Sequence, residues 1–150
     1  MSRIVVGVDG SEHATGALDW AAREAQYRQD DLHIVSAWLY PNTMGYAIAV
    51  DMDQFAKTAQ DIADLATARV HAMAPEVVVT TDVLEAQPAL ALVEASTGAD
   101  LLVVGTRGMG GFRGLVVGSV SQHCVHHAHC PVVVVRPVGS DPAHAEDADH

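Results

Sequence analysis

Five short apolar runs alternate along the chain with stretches whose apolar residues recur at three- and four-residue steps. Short apolar runs bounded by turn residues are typical of buried strands, and the longer steps are typical of amphipathic helices. The pattern predicts strands at 3–8, 32–38, 77–84, 101–104 and 132–135. Between them it predicts helices at about 12–28, 51–73, 88–97 and 118–127. Such an alternation favours an α/β fold: a single doubly wound domain with a parallel sheet covered on both faces.

Local residues mark several helix ends. Ser11 offers an N-cap for the first helix, and Pro75 ends the second. Pro88 suits the first turn of the third helix, which Gly98 can stop in a left-handed conformation.

Composition narrows the class of protein. With 150 residues, of which 49% are hydrophobic, the chain is the size of one domain with a sizeable core. No window reaches the roughly 18 to 20 apolar residues of a membrane span, and the start lacks a signal-peptide layout. The only cysteines, Cys124 and Cys130, suit a reducing compartment, so we expect a cytoplasmic protein without a membrane partner. We expect the domain to cover 1–137, followed by an acidic, disordered tail at 138–150.

The formal net charge of −11 argues against a general nucleic-acid binder, which needs a basic face to neutralise phosphates. One small anion is still compatible with this charge, because salt screens distant charges over about 10 Å. A few backbone amides and two arginines can therefore dominate locally.

A glycine-rich segment at 105–120 has the composition of such an anion site. Six of its sixteen residues are glycine, and it contains Arg107 and Arg113. Backbone amides can approach an anion closely where side chains are missing, and the helix predicted at Gly118 offers its free N–H groups. Ser119 and Ser121 add hydroxyl donors. A glycine-rich loop can also be a plain connection, and composition alone leaves that alternative open.

A second polar segment, Gly7 to Ser11, follows the first strand. Ligands of doubly wound sheets bind beyond the carboxyl ends of the strands, so the two segments meet if the first and fourth strands are neighbours. Asp9 would repel phosphate but can accept hydrogen bonds from ribose hydroxyls or hold a divalent cation. Neither a Walker A loop nor a Rossmann fingerprint is present, because the only lysine is Lys57 and the glycines follow the fourth strand.

The spacing Gly105-x2-Gly108-x9-Gly118-Ser119 resembles the ATP-binding signature of the universal stress protein family. Three further landmarks resemble that family in its own order, and together they span almost the whole chain: IVVGVDGS, ADLLVVG and HCPVVVVRP. The resemblance implies a five-stranded parallel sheet of order 3-2-1-4-5 with four helices. It also implies ATP as the cofactor, with or without Mg²⁺, and a homodimer that pairs through the last strand.

The resemblance assigns roles residue by residue. Asp9 matches the acid on the ribose, Gly7 a backbone neighbour of the nucleotide, and Ala37 the main chain near adenine. Phosphate and ribose contacts match six further positions: Gly105, Arg107, Gly108, Gly118, Ser119 and Val120.

The segment from 122 to 130 also contains histidines and cysteines. His123 and His127 stand four apart on a predicted helix, a workable spacing for two zinc ligands. A zinc site needs three or four converging ligands, and Cys130 lies beyond the helix end, so we assign no metal. We expect Cys124 to be a small buried residue.

Function is predicted as adenine-nucleotide binding by a regulatory stress protein, a sensor or switch whose bound state an unidentified protein partner reads. Two alternatives remain open from the sequence. One is an enzyme, a slow ATP hydrolase or nucleotidyl-transfer protein that uses the same crevice. The other is a dimeric interaction module without nucleotide.

Overall fold

The computed structural model describes residues 2–39, 52–106 and 118–136 of the 150-residue chain. Five strands and four helices alternate along it. The strands are β1 (Arg3–Gly7), β2 (Asp31–Trp38), β3 (Val79–Glu85), β4 (Leu101–Gly105) and β5 (Val132–Val135). The helices are α1 (Glu12–Arg28), α2 (Met52–Met73), α3 (Pro88–Ala95) and α4 (Ser119–His127). The expected tail at 138–150 lies outside the described residues.

All strands are parallel, in the order β3-β2-β1-β4-β5, as the sequence predicted. Val6 pairs with Val103, so the carboxyl ends of β1 and β4 lie side by side. Because every strand runs the same way, the turns after β1 and β4 leave the sheet on the same side, where the carboxyl ends of the strands lie. That adjacency is the condition on which the predicted site depended.

Successive side chains of each strand point to opposite faces of the sheet, which divides the core into two layers. Ile4 and Val6 pack beneath α1 and α2, whereas Val5 faces α3 and α4. The face that α1 turns to the sheet consists mostly of small residues, and its buried residues are Ala14, Gly16, Ala17, Leu18, Ala21, Ala22 and Ala25. Small side chains let the helix axis approach the sheet closely. Among the described residues no helix is long and apolar enough to cross a bilayer.

The third strand differs from its prediction. It begins at Val79 rather than at Val77, whose N–H donates to the carbonyl of Ala74 in a turn. Val77 is apolar because it is buried in the core beneath this turn. Most residues of this outer strand are exposed, although α2 packs against it, and helices cover both faces of the sheet as predicted.

The third helix also ends early. Gly98 adopts a left-handed conformation, with φ of 77°, but α3 already ends at Ala95. Side chains satisfy the carbonyls at this helix end. Arg3 donates through Nη2 to the carbonyls of Ala95 and Thr97, each at 3.2 Å. The left-handed glycine therefore turns the chain toward β4 after the helix is already capped.

Candidate functional site

The turn from β1 to α1 is built from side-chain hydrogen bonds. The Oδ1 of Asp9 accepts from the backbone N–H of Ser11 at 2.9 Å and from its hydroxyl at 2.6 Å. The same hydroxyl oxygen accepts from the N–H of Ala14 at 3.2 Å, which makes Ser11 the predicted N-cap of α1. This network fixes the half-buried Asp9 carboxylate just beyond the carboxyl end of β1.

The connection from β4 to α4 is built mainly from backbone contacts. Thr106 donates its N–H to the carbonyl of Val135 at 3.1 Å and accepts from the N–H of Gly118 at 2.5 Å. Thr106 and Gly118 flank the segment 107–117 in the sequence, so this bond joins the residue after β4 to the residue before α4. The start of α4 is thereby held against the end of β4.

The amino terminus of α4 has the features of an anion-binding helix end. Gly118 is the N-cap and provides no side-chain cap. Ser119 is exposed and Val120 is half-buried. The first N–H groups of a helix carry partial positive charge and favour phosphate. The predicted roles of Gly118, Ser119 and Val120 are compatible with these positions.

Ser121 has a different role from the predicted phosphate donor. It is buried, and its hydroxyl donates to the carbonyl of Gly105. This bond ties the first turn of α4 to the last residue of β4. The hydroxyl proton that the sequence predicted as a donor to a ligand is instead donated to the backbone of the protein.

Two of the predicted glycines are explained by packing. A Cβ on Gly105 would lie 2.6 Å from the carbonyl oxygen of His13, and one on Gly7 would lie 2.8 Å from Cδ1 of Leu92. Both residues end a strand at the carboxyl side of the sheet, and a side chain would meet the backbone of α1 at Gly105 but only the Leu92 side chain of α3 at Gly7. Ala37 is half-buried in β2, where it pairs with Leu84.

The remaining predicted contacts, Arg107 and Gly108, lie outside the described residues, as does Arg113. Sequence reasoning missed a further pair of residues at this edge. The Nδ1 of His13 and the Oγ1 of Thr106 are 2.8 Å apart. They are 93 residues apart in the chain, and no local pattern joins positions so distant.

The histidines at the end of α4 lie close to one another in the part of the chain that the structure describes. The rings of His123 and His127 are in contact, with centroids 4.4 Å apart and a tilt of 40° between their planes. Within the part of the chain that the structure describes, no three ligating side chains converge. Cys124 is fully buried, as predicted, and burial raises the pKa of its thiol to about 11. The thiol is therefore a packing group and a poor nucleophile at neutral pH.

Comparison with known proteins agrees with this geometry. Residues 1–136 match the model of the universal stress protein family. The chain belongs to that family. Its sequence is 35% identical over 133 residues to the universal stress protein Rv2623 of Mycobacterium tuberculosis, a match that covers 89% of this chain and 44% of that protein.

Solved structures of universal stress proteins share the fold. One from Lactobacillus plantarum superimposes with a TM-score of 0.71 over 90% of this chain and 97% of its own, at 23% identity. Another, in complex with cAMP, gives a TM-score of 0.67 at 30% identity and covers 91% of this chain and 97% of its own. The chain spans about half the length of the curated universal stress proteins it matches.

Proposed function

We propose that the crevice between the Asp9 turn and the start of α4 binds an adenine nucleotide, with ATP as the ligand that the glycine spacing favours. The observation that carries the proposal is the adjacency of β1 and β4, which brings an acidic turn and a helix amino terminus to one sheet edge. A ligand with hydroxyls at one end and phosphate at the other complements that pair. The relative solved with cAMP at 30% identity supports the same class of ligand.

Each end of the crevice suits one part of the nucleotide. Asp9 presents a carboxylate whose position is set by its bonds to Ser11, and a carboxylate accepts hydrogen bonds, so Asp9 is suited to ribose hydroxyls. Gly118 and Ser119 begin α4 and are suited to phosphate. We retain Arg107 and Gly108 as predicted phosphate contacts and omit Ser121, whose hydroxyl is bonded to Gly105.

Retention of nucleotide by the purified protein tests this proposal. Denatured protein is chromatographed and the released material is identified by its absorbance, and stripped protein is then dialysed against ATP, AMP or cAMP, with and without Mg²⁺. We expect an adenine nucleotide in stoichiometric amount, either co-purified or bound on dialysis. Empty protein after dialysis against a millimolar concentration of each nucleotide would contradict the proposal and favour an interaction module.

We further propose that the protein holds its nucleotide as a sensor or switch in the cytoplasm, read by a regulatory partner, and hydrolyses it slowly. Hydrolysis needs a group that positions water and charge neutralisation at the γ-phosphate. Asp9 is the only acid in 7–11 and 105–121, and its proposed role is at the ribose. Binding both substrate and transition state equally accelerates nothing. Single-turnover measurement with Mg²⁺ tests this, and a rate of about 1 per second that Asp9→Ala abolishes would establish the enzyme alternative.

A homodimer through β5 is the second part of the proposal. The two sheet edges differ, because β3 presents Thr80, Thr81 and Asp82 whereas β5 consists of four half-buried valines. Polar and charged residues discourage edge pairing, and an apolar edge favours it. We expect sedimentation equilibrium to give a dimer, and the variant with Val133→Lys and Val135→Lys to give a folded monomer. A wild-type monomer at every accessible concentration would refute this assembly.

A further inference from the structure

Thr106 is the residue through which the two sides of the crevice are joined. Its backbone bonds to Val135 and Gly118 could be made by almost any residue, because they use only the main chain. Its hydroxyl makes a contact that depends on side-chain chemistry, at 2.8 Å from Nδ1 of His13. Thr106 is only 6% exposed, so this bond is shielded from competing water.

His13 is placed to transmit position from one side to the other. It lies in the first turn of α1, two residues after Ser11, which is bonded to Asp9. Its carbonyl oxygen also sits against Gly105, where a Cβ would approach to 2.6 Å. The backbone of His13 thus meets the end of β4 while its ring binds the residue that follows.

We infer that His13 is a positioning residue for the proposed nucleotide site. Its bond to Thr106 sets the spacing between the Asp9 turn and the N-cap of α4 at Gly118. The inference rests on the proposed function, since that spacing matters only to a ligand that engages both sides. A ligand held by two separate elements binds more tightly when their spacing is already correct, because less ordering accompanies binding.

Removal of the bond from either partner tests the inference. Thr106→Val keeps the shape of the buried side chain, and His13→Ala acts from the half-buried ring without opening the core. Calorimetric titration with ATP should give affinities about three- to tenfold weaker for each, the usual worth of one hydrogen bond. The double variant should be no weaker than the single ones, since all of them lack the same bond. Thr106→Ser and His13→Asn keep a hydrogen-bonding group and should restore most of the affinity.

A second threonine–histidine pair provides a control, although its threonine is exposed and its histidine also contacts Asp82. Nδ1 of His33 is 2.6 Å from Oγ1 of Thr80, on β2 and β3 away from the crevice. Thr80→Val should leave the ATP affinity unchanged. Melting temperatures recorded beside each titration separate positioning from stability, because a purely structural bond would lower the melting temperature without changing the affinity of the folded protein.

Two results would overturn the inference while leaving the proposed function intact. One is wild-type affinity in folded Thr106→Val and His13→Ala. The other is an equal loss of affinity in Thr80→Val, which would mean that any weakened protein binds less ATP. A wild type that binds no nucleotide is a separate outcome, and it would overturn both the proposed function and the role of His13.

Discussion

The β1–α1 turn and the β4–α4 connection lie at the same sheet edge but are held by different means. In the first, the side chains of Asp9 and Ser11 bond to each other and cap α1. In the second, the start of α4 has no side-chain cap, and Gly118 donates its N–H to the carbonyl of Thr106. The first turn is therefore held by its own side chains, whereas the second presents a helix amino terminus whose N-cap residue has no side chain.

This difference would let one edge of the sheet serve the two parts of the proposed nucleotide. A capped turn presents a carboxylate in a fixed place, which suits neutral hydroxyls. An uncapped helix start presents N–H groups, which suit an anion. Repulsion between Asp9 and phosphate would then favour one orientation of the proposed ligand.

The largest expected effect is a difference in stability between alanine variants of Gly105, at the end of β4, and Gly7, at the end of β1. Gly105→Ala brings a methyl group to 2.6 Å from the backbone of His13, which cannot move without displacing α1. Gly7→Ala meets the end of the Leu92 side chain, which can change rotamer. We expect losses of about 2 to 3 kcal/mol for Gly105→Ala and under about 1 kcal/mol for Gly7→Ala in urea denaturation. Equal losses of stability in the two variants would show that the contact of Gly105 with the His13 backbone is no tighter a constraint than the contact of Gly7 with the Leu92 side chain.

The buried thiol of Cys124 on α4 predicts that the protein loses stability at alkaline pH. Burial raises the pKa of Cys124 from 9.0 to about 11, so the thiol favours the folded state most fully below about pH 9. As the pH rises toward 11, the unfolded chain ionises first and stability is lost. The wild type should lose about 2 kcal/mol more than Cys124→Ala between about pH 8 and pH 10.5.

Cys130→Ala is the control for this measurement. The pKa of Cys130 is also raised, first by burial and then by the charge of Asp100, but its side chain is half-exposed. Its removal should change the pH slope less than the removal of Cys124. Identical slopes in all three proteins would show that the Cys124 thiol is not buried.

A smaller effect is expected at the capped turn. Ser11→Ala removes both the cap on Ala14 and the hydroxyl bond to Asp9, and should cost about 1 kcal/mol of stability. The matched change Ser119→Ala at the start of α4 should cost less than about 0.5 kcal/mol, because Ser119 is exposed. Thermal denaturation of both variants measures the difference, and a larger loss in Ser119→Ala would reverse the comparison.

The sequence predicted the strand order through the family resemblance and most element bounds through periodicity and caps. Ser11 was recognisable as a cap because its signal lies within a few residues of the helix it begins. Val77 was misread because burial in a turn and burial in a strand give the same apolar pattern.

The contacts that join the two regions were beyond the sequence. The contact between His13 and Thr106 exists because β1 and β4 are neighbours, and the bond from Ser121 to Gly105 depends on the packing of the first turn of α4 against the end of β4. Spacing identified Gly105 as a residue of the signature. Its close contact with α1 required the packed structure. The roles of Arg107, Gly108 and Arg113 stay predictions.

Calorimetric titration with ATP of the wild type and Gly118→Val tests the central claim most directly. A valine at the N-cap of α4 places a branched side chain where the phosphate is proposed to approach, and Thr80→Val places the same side chain on the remote β3. The account predicts an affinity on the order of micromolar for the wild type and Thr80→Val, and at least about tenfold weaker binding for Gly118→Val. Equal affinities in all three proteins, or no binding to the wild type, would contradict it.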